Sequence, residues 1–202
     1  LTRPEDVACA IENGAGFLGF IVECPSKRKL SVAEATTLSL PAKDFASRVA
    51  VTVNPDDDLI TRIIAEMKPD FIQLHGDETP ARAAEIARRI PIIKAVGIAS
   101  DDDMKMAETY AGIADFILYD AKPPKGEAVR GGHGVAIDWT IIANAPTPKT
   151  FAVAGGLNPD NITDAMRATR APIFDVSSGV EASAGVKDHS KIKAFMDAVQ
   201  NG

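Results

Sequence analysis

The sequence contains few cysteines, few aromatic residues and no long apolar run. Two cysteines among 202 residues, without a CxxC pair, exclude a disulfide framework and a cysteine metal site and favour a reduced, cytosolic setting. The apolar runs stay far below the ~20 residues of a membrane helix, and no signal-peptide pattern is present, so we expect no membrane association. With 22 basic and 28 acidic residues the net charge is −6, and no extended basic run suggests a nucleic-acid partner.

Helical and strand patterns alternate along the whole chain. Helix-start signals such as Ser31 with Glu34, Thr79-Pro80 and Ser100 precede stretches with helical spacing. Short continuous apolar runs, typical of parallel strands buried on both faces, lie between them. These runs predict strands at residues 16–22, 48–53, 71–74, 92–98, 116–119, 150–153 and 173–176. The pattern therefore predicts eight helices but only seven strands.

Alternating strands and helices predict a parallel α/β fold, and eight such units close a barrel. No composition shift marks a boundary, so we expect a single domain over residues 1–202. The chain starts at Leu1 with a helix that has no strand before it, so we expect strand one to lie upstream. The predicted fold is a (β/α)8 TIM barrel lacking its first strand in this chain; an open seven-stranded sheet is the alternative.

Barrel active sites lie in the loops that follow the strands, and a phosphate site often forms after strands seven and eight. Glycine-rich turns occupy both positions here, and glycine lets backbone N–H groups approach an anion closely. We expect a short helix at residues 180–183 to point its N-terminus at the same anion. The alternative is two tight turns without a ligand. The candidate phosphate-binding residues are Gly155, Gly156, Ser177, Ser178 and Gly179.

Three further side chains at the ends of predicted strands are candidates for catalysis or substrate binding. Asp120 ends the sixth strand, where partial desolvation raises a carboxyl pKa and suits a general acid; a helix cap or a salt bridge with Lys122 is the alternative. The guanidinium of Arg28 suits bidentate contact with a carboxylate, although a solvated loop is the commoner fate of such a basic cluster. His75 is a candidate for hydrogen bonding or proton transfer, and structural histidines are common at such positions.

Longer strings of residues contain these positions. They are residues 73–78 (QLHGDE), Asp120-Ala121-Lys122, residues 131–134 with Asp138-Trp139, residues 154–161 (AGGLNPDN), residues 175–181 (DVSSGVE) and residues 185–188 (GVKD). In order and spacing they resemble phosphoribosylanthranilate isomerase over the whole chain. Other phosphate-binding barrels share the glycines but not the full strings.

The resemblance implies an isomerase of tryptophan biosynthesis. Such an enzyme performs the Amadori rearrangement of N-(5-phosphoribosyl)anthranilate to 1-(2-carboxyphenylamino)-1-deoxyribulose 5-phosphate by general acid/base catalysis, without cofactor or metal. It implies Asp120 as the acid that protonates the furanose oxygen and Arg28 as the group that meets the anthranilate carboxylate. It implies the five phosphate-site residues as the cradle, with His75 and Asp175 lining the site. A monomer or homodimer in the cytoplasm, acting on a phosphosugar, is the corresponding expectation.

The sequence departs from the family in two places. The family's base is a cysteine in a Lys-Ile-Cys-Gly stretch that would directly precede Leu1, so we expect the base, and much of the stability and activity, to depend on upstream residues. Cys9 lies within the first helix and is no substitute, and Cys24 lies near the mouth without an assigned orientation. Val135 directly follows the glycine-rich segment at residues 131–134, which resembles a lid, and stands where many members of the family carry a basic residue.

Two other classes of function remain open at this point. Another phosphosugar barrel would need metal-binding histidines and aspartates, as in an epimerase, or a lysine–glutamate pair, as in indole-glycerol-phosphate synthase. A non-catalytic phosphate-binding barrel, or a fragment that does not fold alone, is the third hypothesis. Three histidines, two of them in a loop and at a helix start, argue against a metal site.

Overall fold

Seven parallel strands form the central sheet of the computed structural model, which describes residues 1–122 and 138–202. The glycine-rich segment at residues 131–134 and the departure at Val135 lie outside the described residues. The strands pair in sequence order, and each is parallel to the next. They are β1 Phe17–Ile21, β2 Ser47–Thr52, β3 Phe71–Leu74, β4 Ile92–Ile98, β5 Phe116–Ala121, β6 Phe151–Val153 and β7 Ile173–Phe174, the second to eighth strands of the predicted barrel.

Eight α-helices connect or flank these strands within the described residues. Ser31, Thr79 and Ser100 accept hydrogen bonds from the third amide of their helices, as the sequence predicts, and Ser31 forms a full capping box with Glu34. No helix in the described part of the chain is long and apolar enough to cross a membrane. The helices are α1 Pro4–Glu12, α2 Val32–Ser39, α3 Asp57–Arg62, α4 Pro80–Ala87, α5 Asp101–Glu108, α6 Trp139–Asn144, α7 Ile162–Thr169 and α8 His189–Asn201.

The sheet curls, and three phenylalanines show how strongly. Phe17, Phe71 and Phe116 open β1, β3 and β5, and their ring centroids lie 5.8 to 5.9 Å apart. In a flat sheet, first and fifth strands would lie about 19 Å apart at ~4.8 Å per step. The strands therefore form a barrel wall whose N-terminal end is filled by this cluster, which leaves the opposite end for a site.

Strands β3 to β6 bury both of their faces. Along β4, Ile92 and Val96 pack into the layer beneath the helices, while Ile93 and Ala95 join the inner cluster of strand residues. This two-sided burial explains why the strands read as continuous apolar runs. Trp139, for which core packing is the default expectation, packs against the outer layer.

Two local predictions are wrong. Residues 180–183 do not form a helix: Ser178–Val180 is a 3₁₀ turn, and β8 (Glu181–Ser183) pairs antiparallel with β9 (Val186–Lys187). The hairpin forms because Gly185 turns the chain at a φ of +84°. The sequence also predicts that Asn158-Pro159 opens a helix, but α7 begins at Ile162. The side chains of Asn158 and Asn161 each accept the backbone amide of the other, and this forms a separate turn first.

Candidate functional site

Asp120 and His75 meet at the open end of the barrel. Asp120 lies at the end of β5, and His75 directly follows β3, two strands away in the curled sheet. His75 Nε2 lies 3.1 Å from Asp120 Oδ2, and the Ala121 amide donates to Oδ1 over 2.8 Å. The two side chains are only 18% and 10% exposed, so solvent screens their contact little.

Gln73 determines which imidazole nitrogen of His75 carries the proton. Gln73 precedes His75 by two residues on the same face of the chain, and its Nε2 lies 3.0 Å from His75 Nδ1. An amide nitrogen is a donor, so Nδ1 accepts and Nε2 carries the imidazole proton. His75 therefore donates to Asp120, and together with the Ala121 amide it stabilises a carboxylate at that position.

Asp175 completes the acidic group at the mouth. It follows β7 directly, and the charges of Asp120 and Lys187 act on it. The surrounding protein raises the pKa of the Asp175 carboxyl, and the negative charge of Asp120 raises it further. Water still reaches this side chain, which is exposed to solvent at the rim. The structure thus brings His75 and Asp120 into contact, and the charge of Asp120 is near enough to act on Asp175.

The two glycine turns pack against their neighbours without room for side chains. A β-carbon on Gly155, whose φ is +85°, would lie 2.5 Å from the Ala121 amide nitrogen beside Asp120. A β-carbon on Gly179 would overlap the carbonyl oxygen of Leu157 in the other turn. The loops after β6 and β7 therefore form one surface next to the acid, and glycine is required for both contacts.

This surface presents backbone donors. The amides of Gly155, Gly156, Ser177, Ser178 and Gly179 have no acceptor within residues 1–122 and 138–202. Most buried or half-buried amides in proteins do have one, so a cluster of five in two touching loops is suited to an anion. All five predicted phosphate-site residues lie together here.

Arg28 is tied to a partner that sequence reasoning did not assign. Its Nε and Nη2 donate to the two carboxylate oxygens of Glu181 over 2.8 and 2.6 Å, and this hydrogen bonding raises the pKa of the guanidinium. The predicted carboxylate-binding side chain is thus held in a bidentate ion pair rather than extended into solvent. Glu181 is itself part of the string at residues 175–181, which was the available signal.

Lys187 joins Arg28 to the phosphate loop. Its Nζ donates to the carbonyl of Ser177 over 2.7 Å and to Glu181 Oε1 over 3.3 Å. Burial lowers the pKa of the Lys187 ammonium, while the Glu181 carboxylate opposes that change. Arg28, Glu181 and Lys187 therefore form a connected group of charges that ends at the predicted phosphate site.

The alternative that pairs Asp120 with Lys122 is wrong. Lys122 Nζ instead lies 2.7 Å from Oδ1 of Asp103, at the start of α5. The carboxylate of Asp120 is thereby left to His75 and to the interior of the mouth.

Comparisons with known proteins agree with one another. The family model described as "N-(5'phosphoribosyl)anthranilate (PRA) isomerase" matches residues 1–198. The N-(5'-phosphoribosyl)anthranilate isomerase of Paracoccus denitrificans is 42% identical over 198 residues, covering 97% of this chain and 92% of that protein.

Solved structures show the same relationship. The phosphoribosyl anthranilate isomerase of Thermotoga maritima superposes with a TM-score of 0.91 at 36% identity, covering 100% of this chain and 96% of that one. A phosphoribosyl anthranilate isomerase in complex with reduced 1-(o-carboxyphenylamino)-1-deoxyribulose 5-phosphate superposes with a TM-score of 0.86 at 33% identity, with the same coverage.

Proposed function

The chain belongs to the N-(5'-phosphoribosyl)anthranilate isomerase family, and from this premise we propose how its described residues serve the isomerase step of tryptophan biosynthesis. The substrate is a phosphoribosyl amine that carries an aromatic carboxylate. Its two anionic ends must be held while a proton reaches the furanose oxygen and the ring opens. A second proton then leaves C2 and the enol rearranges to the ketose.

Asp120 is the general acid in this proposal, and its contact with His75 is the observation that carries it. When protonated Asp120 gives its proton to the ring oxygen, a carboxylate forms. The His75 Nε2 proton and the Ala121 amide are already aimed at the two oxygens of that carboxylate, so no reorganisation is needed when charge develops. These two donors therefore stabilise the transition state of proton release more than the ground state, in which Asp120 is still protonated.

The phosphate binds to the two glycine turns. Five amides without an acceptor in the described part of the chain favour a dianion there, and Gly155 touches Ala121, the neighbour of the acid. A phosphate held on this surface places the attached ribose ring next to Asp120. Binding energy from the phosphate, which does not react, is thus used to orient the reacting carbon and oxygen atoms.

Arg28 meets the anthranilate carboxylate. Glu181 accepts from Nε and Nη2 of the guanidinium, so in this proposal Nη1 is the donor for the substrate. A guanidinium suits this contact because it stays charged and keeps a planar, fixed set of donors. Since Lys187 links Glu181 to the Ser177 carbonyl, the sites for the two ends of the substrate are held at a fixed separation.

The resemblance implies a cysteine for the second proton transfer, and neither described cysteine suits it. Cys9 packs against α8 residues, and Cys24 is buried in the loop after β1. Burial raises the pKa of both thiols, which keeps them protonated and unreactive. We therefore assign no part of the reaction to Cys9 or Cys24.

The reaction moves hydrogen within a single molecule, so it requires no external oxidant or reductant. We accordingly propose a cofactor-free enzyme that acts on one phosphosugar, as a monomer or homodimer in the cytoplasm.

Turnover by the full-length gene product tests the assignment. Isomerisation of phosphoribosylanthranilate is followed by the loss of its fluorescence, and binding of the reduced product analogue is measured by calorimetry. We expect both, with inorganic phosphate competing for the analogue. A folded protein that neither turns over the substrate nor binds the analogue would exclude the proposed function.

A further inference from the structure

A buried ammonium lies beneath the loop that carries His75. Lys94 belongs to β4, and its side chain points towards the helices, on the same face as Ile92 and Val96. Its Nζ donates to the carbonyls of Leu74 and Gly76 over 3.1 and 2.9 Å. These are the residues immediately before and after His75, so one cation fixes the peptide groups on both sides of the imidazole.

A third hydrogen bond neutralises this cation. Lys94 Nζ lies 2.9 Å from Glu78 Oε2, and the side chains of the pair are only 3% and 1% exposed. Three acceptors match the three donors of an ammonium. Burying such a pair costs more desolvation energy than an apolar pair would, so stability alone does not explain it.

The same carboxylate holds the loop from the other side. Glu78 Oε1 accepts the amides of Asn54 and Gly76 over 2.8 and 3.1 Å. A β-carbon on Gly76 would approach Asn54 and Glu78 too closely for any other residue. The Tyr110 hydroxyl donates to the Glu78 carbonyl over 2.8 Å, and its ring centroid lies 5.5 Å from Lys94 Nζ. The loop therefore has one well-determined path.

We propose that Lys94 is a positioning residue of the proton-transfer site: it holds the backbone around His75 so that Nε2–H stays on the Asp120 carboxylate. This inference rests on the proposed role of Asp120 as general acid. Lys94 never touches the substrate, since its side chain lies on the helix face of the sheet. It acts through His75, and its loss displaces the imidazole relative to Asp120.

Nitrogen NMR of the His75 imidazole reports the arrangement without any need for turnover. In the wild type, His75, assigned by its loss in His75→Ala, gives the pattern of a single Nε2–H tautomer. In Lys94→Met we expect a shift towards an average of both tautomers. The matched control is Arg48→Met. Arg48 is also buried and donates to the carbonyl of Lys68 over 2.6 Å, but it lies near the N-terminal end of β2, at the opposite end of the barrel from His75. Arg48→Met leaves the His75 signals unchanged.

Turnover gives the second readout, through a double-mutant cycle. Lys94→Met lowers kcat by about tenfold and keeps KM within about twofold. The tenfold loss corresponds to a rise of about 1.4 kcal/mol in the activation free energy. In the His75→Ala background the same substitution changes kcat by less than about twofold, because the side chain through which it acts is gone. Lys94→Met effects of equal size in both backgrounds overturn the proposal.

Folding is monitored by circular dichroism in every variant. Where Lys94→Met does not fold because Glu78 is left charged and buried, Lys94→Met with Glu78→Gln removes that charge and undergoes the same measurements. Unchanged His75 signals in a folded variant overturn the positioning role. A wild type with no turnover excludes the proposed isomerase function separately, while the tautomer measurement still decides the role of Lys94.

Discussion

Arg28 and Glu181 lie 153 residues apart in the sequence, yet two hydrogen bonds of 2.8 and 2.6 Å join guanidinium to carboxylate. Bidentate geometry fixes the plane of an arginine as well as its position. The loop after β1 is thereby attached to the hairpin after β7, and Arg28 is oriented before any substrate binds. The first prediction depends on this orientation of Arg28 before the substrate binds.

Glu181→Gln should weaken substrate binding more than catalysis. A glutamine offers the guanidinium one acceptor in place of two, so Arg28 loses its fixed plane. We expect affinity for the reduced product analogue to fall about tenfold, or about 1.4 kcal/mol, with KM rising and kcat nearly unchanged. Calorimetry and steady-state kinetics measure the two effects.

The control for this change is Glu85→Gln. It also replaces a carboxylate that accepts from an arginine, here Arg82 over 3.2 Å, by a neutral amide, but on the exposed face of α4. Exposed pairs contribute little, so neither binding nor KM should change. Equal KM values for Glu181→Gln and wild type would show that Arg28 needs no orientation by Glu181.

Gly179→Ala should remove the phosphate site. The new β-carbon would overlap the Leu157 carbonyl, so the loop after β7 must move away from the loop after β6. We expect loss of analogue binding and a free energy of unfolding lowered by about 1–3 kcal/mol, the usual cost of overpacking. Gly16→Ala is the control, since a β-carbon there meets nothing within 4 Å. Retained affinity for inorganic phosphate in Gly179→Ala would contradict the assigned cradle.

Much of the fold follows from the sequence because the strands are buried on both sides. Residues 71–74 and 92–98 are predicted as strands and lie within their observed bounds, since apolar runs flanked by helix starts have few other interpretations. The hairpin of β8 and β9 was missed because strands of three and two residues carry no periodic signal. Its formation depends on Gly185 and on distant partners of Glu181.

Some residues of the candidate site could likewise be identified from the sequence, and others could not. Asp120 and Gly155 were identifiable because each lies at or just beyond the C-terminal end of a strand, where the fold places functional groups. The partner of Arg28 was not, because contact between residues 28 and 181 depends on barrel curvature that a linear pattern does not contain. Lys94 gave no signal of a role, because a single lysine in an apolar strand does not reveal which face it occupies or what lies beneath it.

Asp120→Asn should abolish most of the activity while leaving binding intact. An amide cannot protonate the ring oxygen, and removal of a general acid typically costs about 10²–10⁴-fold in rate. We expect that loss in kcat, with analogue affinity within about threefold of wild type, because phosphate and carboxylate contacts remain.

Asp115→Asn is the matched control, since Asp115 lies just before the other end of β5. Its carboxylate accepts the Ile92 amide over 2.9 Å, far from the mouth. It should affect stability modestly and kcat not at all. An Asp120→Asn protein with nearly normal kcat would remove Asp120 from the role of acid.

Asp103 should contribute a pH-dependent part of the stability. Burial alone would raise the pKa of its carboxyl, but hydrogen bonds from Lys122, the Ala99 amide and Ser100 outweigh burial and lower the pKa below its ordinary value of 3.8. Because the folded-state pKa is the lower one, folding favours the ionised form. The stabilisation is therefore complete at pH values well above 3.8 and disappears as the pH falls through the folded-state pKa.

Asp103→Asn tests that sign. At pH 7 we expect the free energy of unfolding in urea to fall by about 1–3 kcal/mol, because a hydrogen-bonded buried charge is lost. The difference from wild type should shrink steadily as the pH is lowered below 3.8, where the wild-type carboxyl also becomes neutral. Asp102→Asn, which breaks a pair with Lys105 whose side chains are 88% and 72% exposed, should cost under about 1 kcal/mol at any pH. A gap between wild type and Asp103→Asn that stays constant with pH would mean that packing, rather than charge, accounts for the contribution of Asp103.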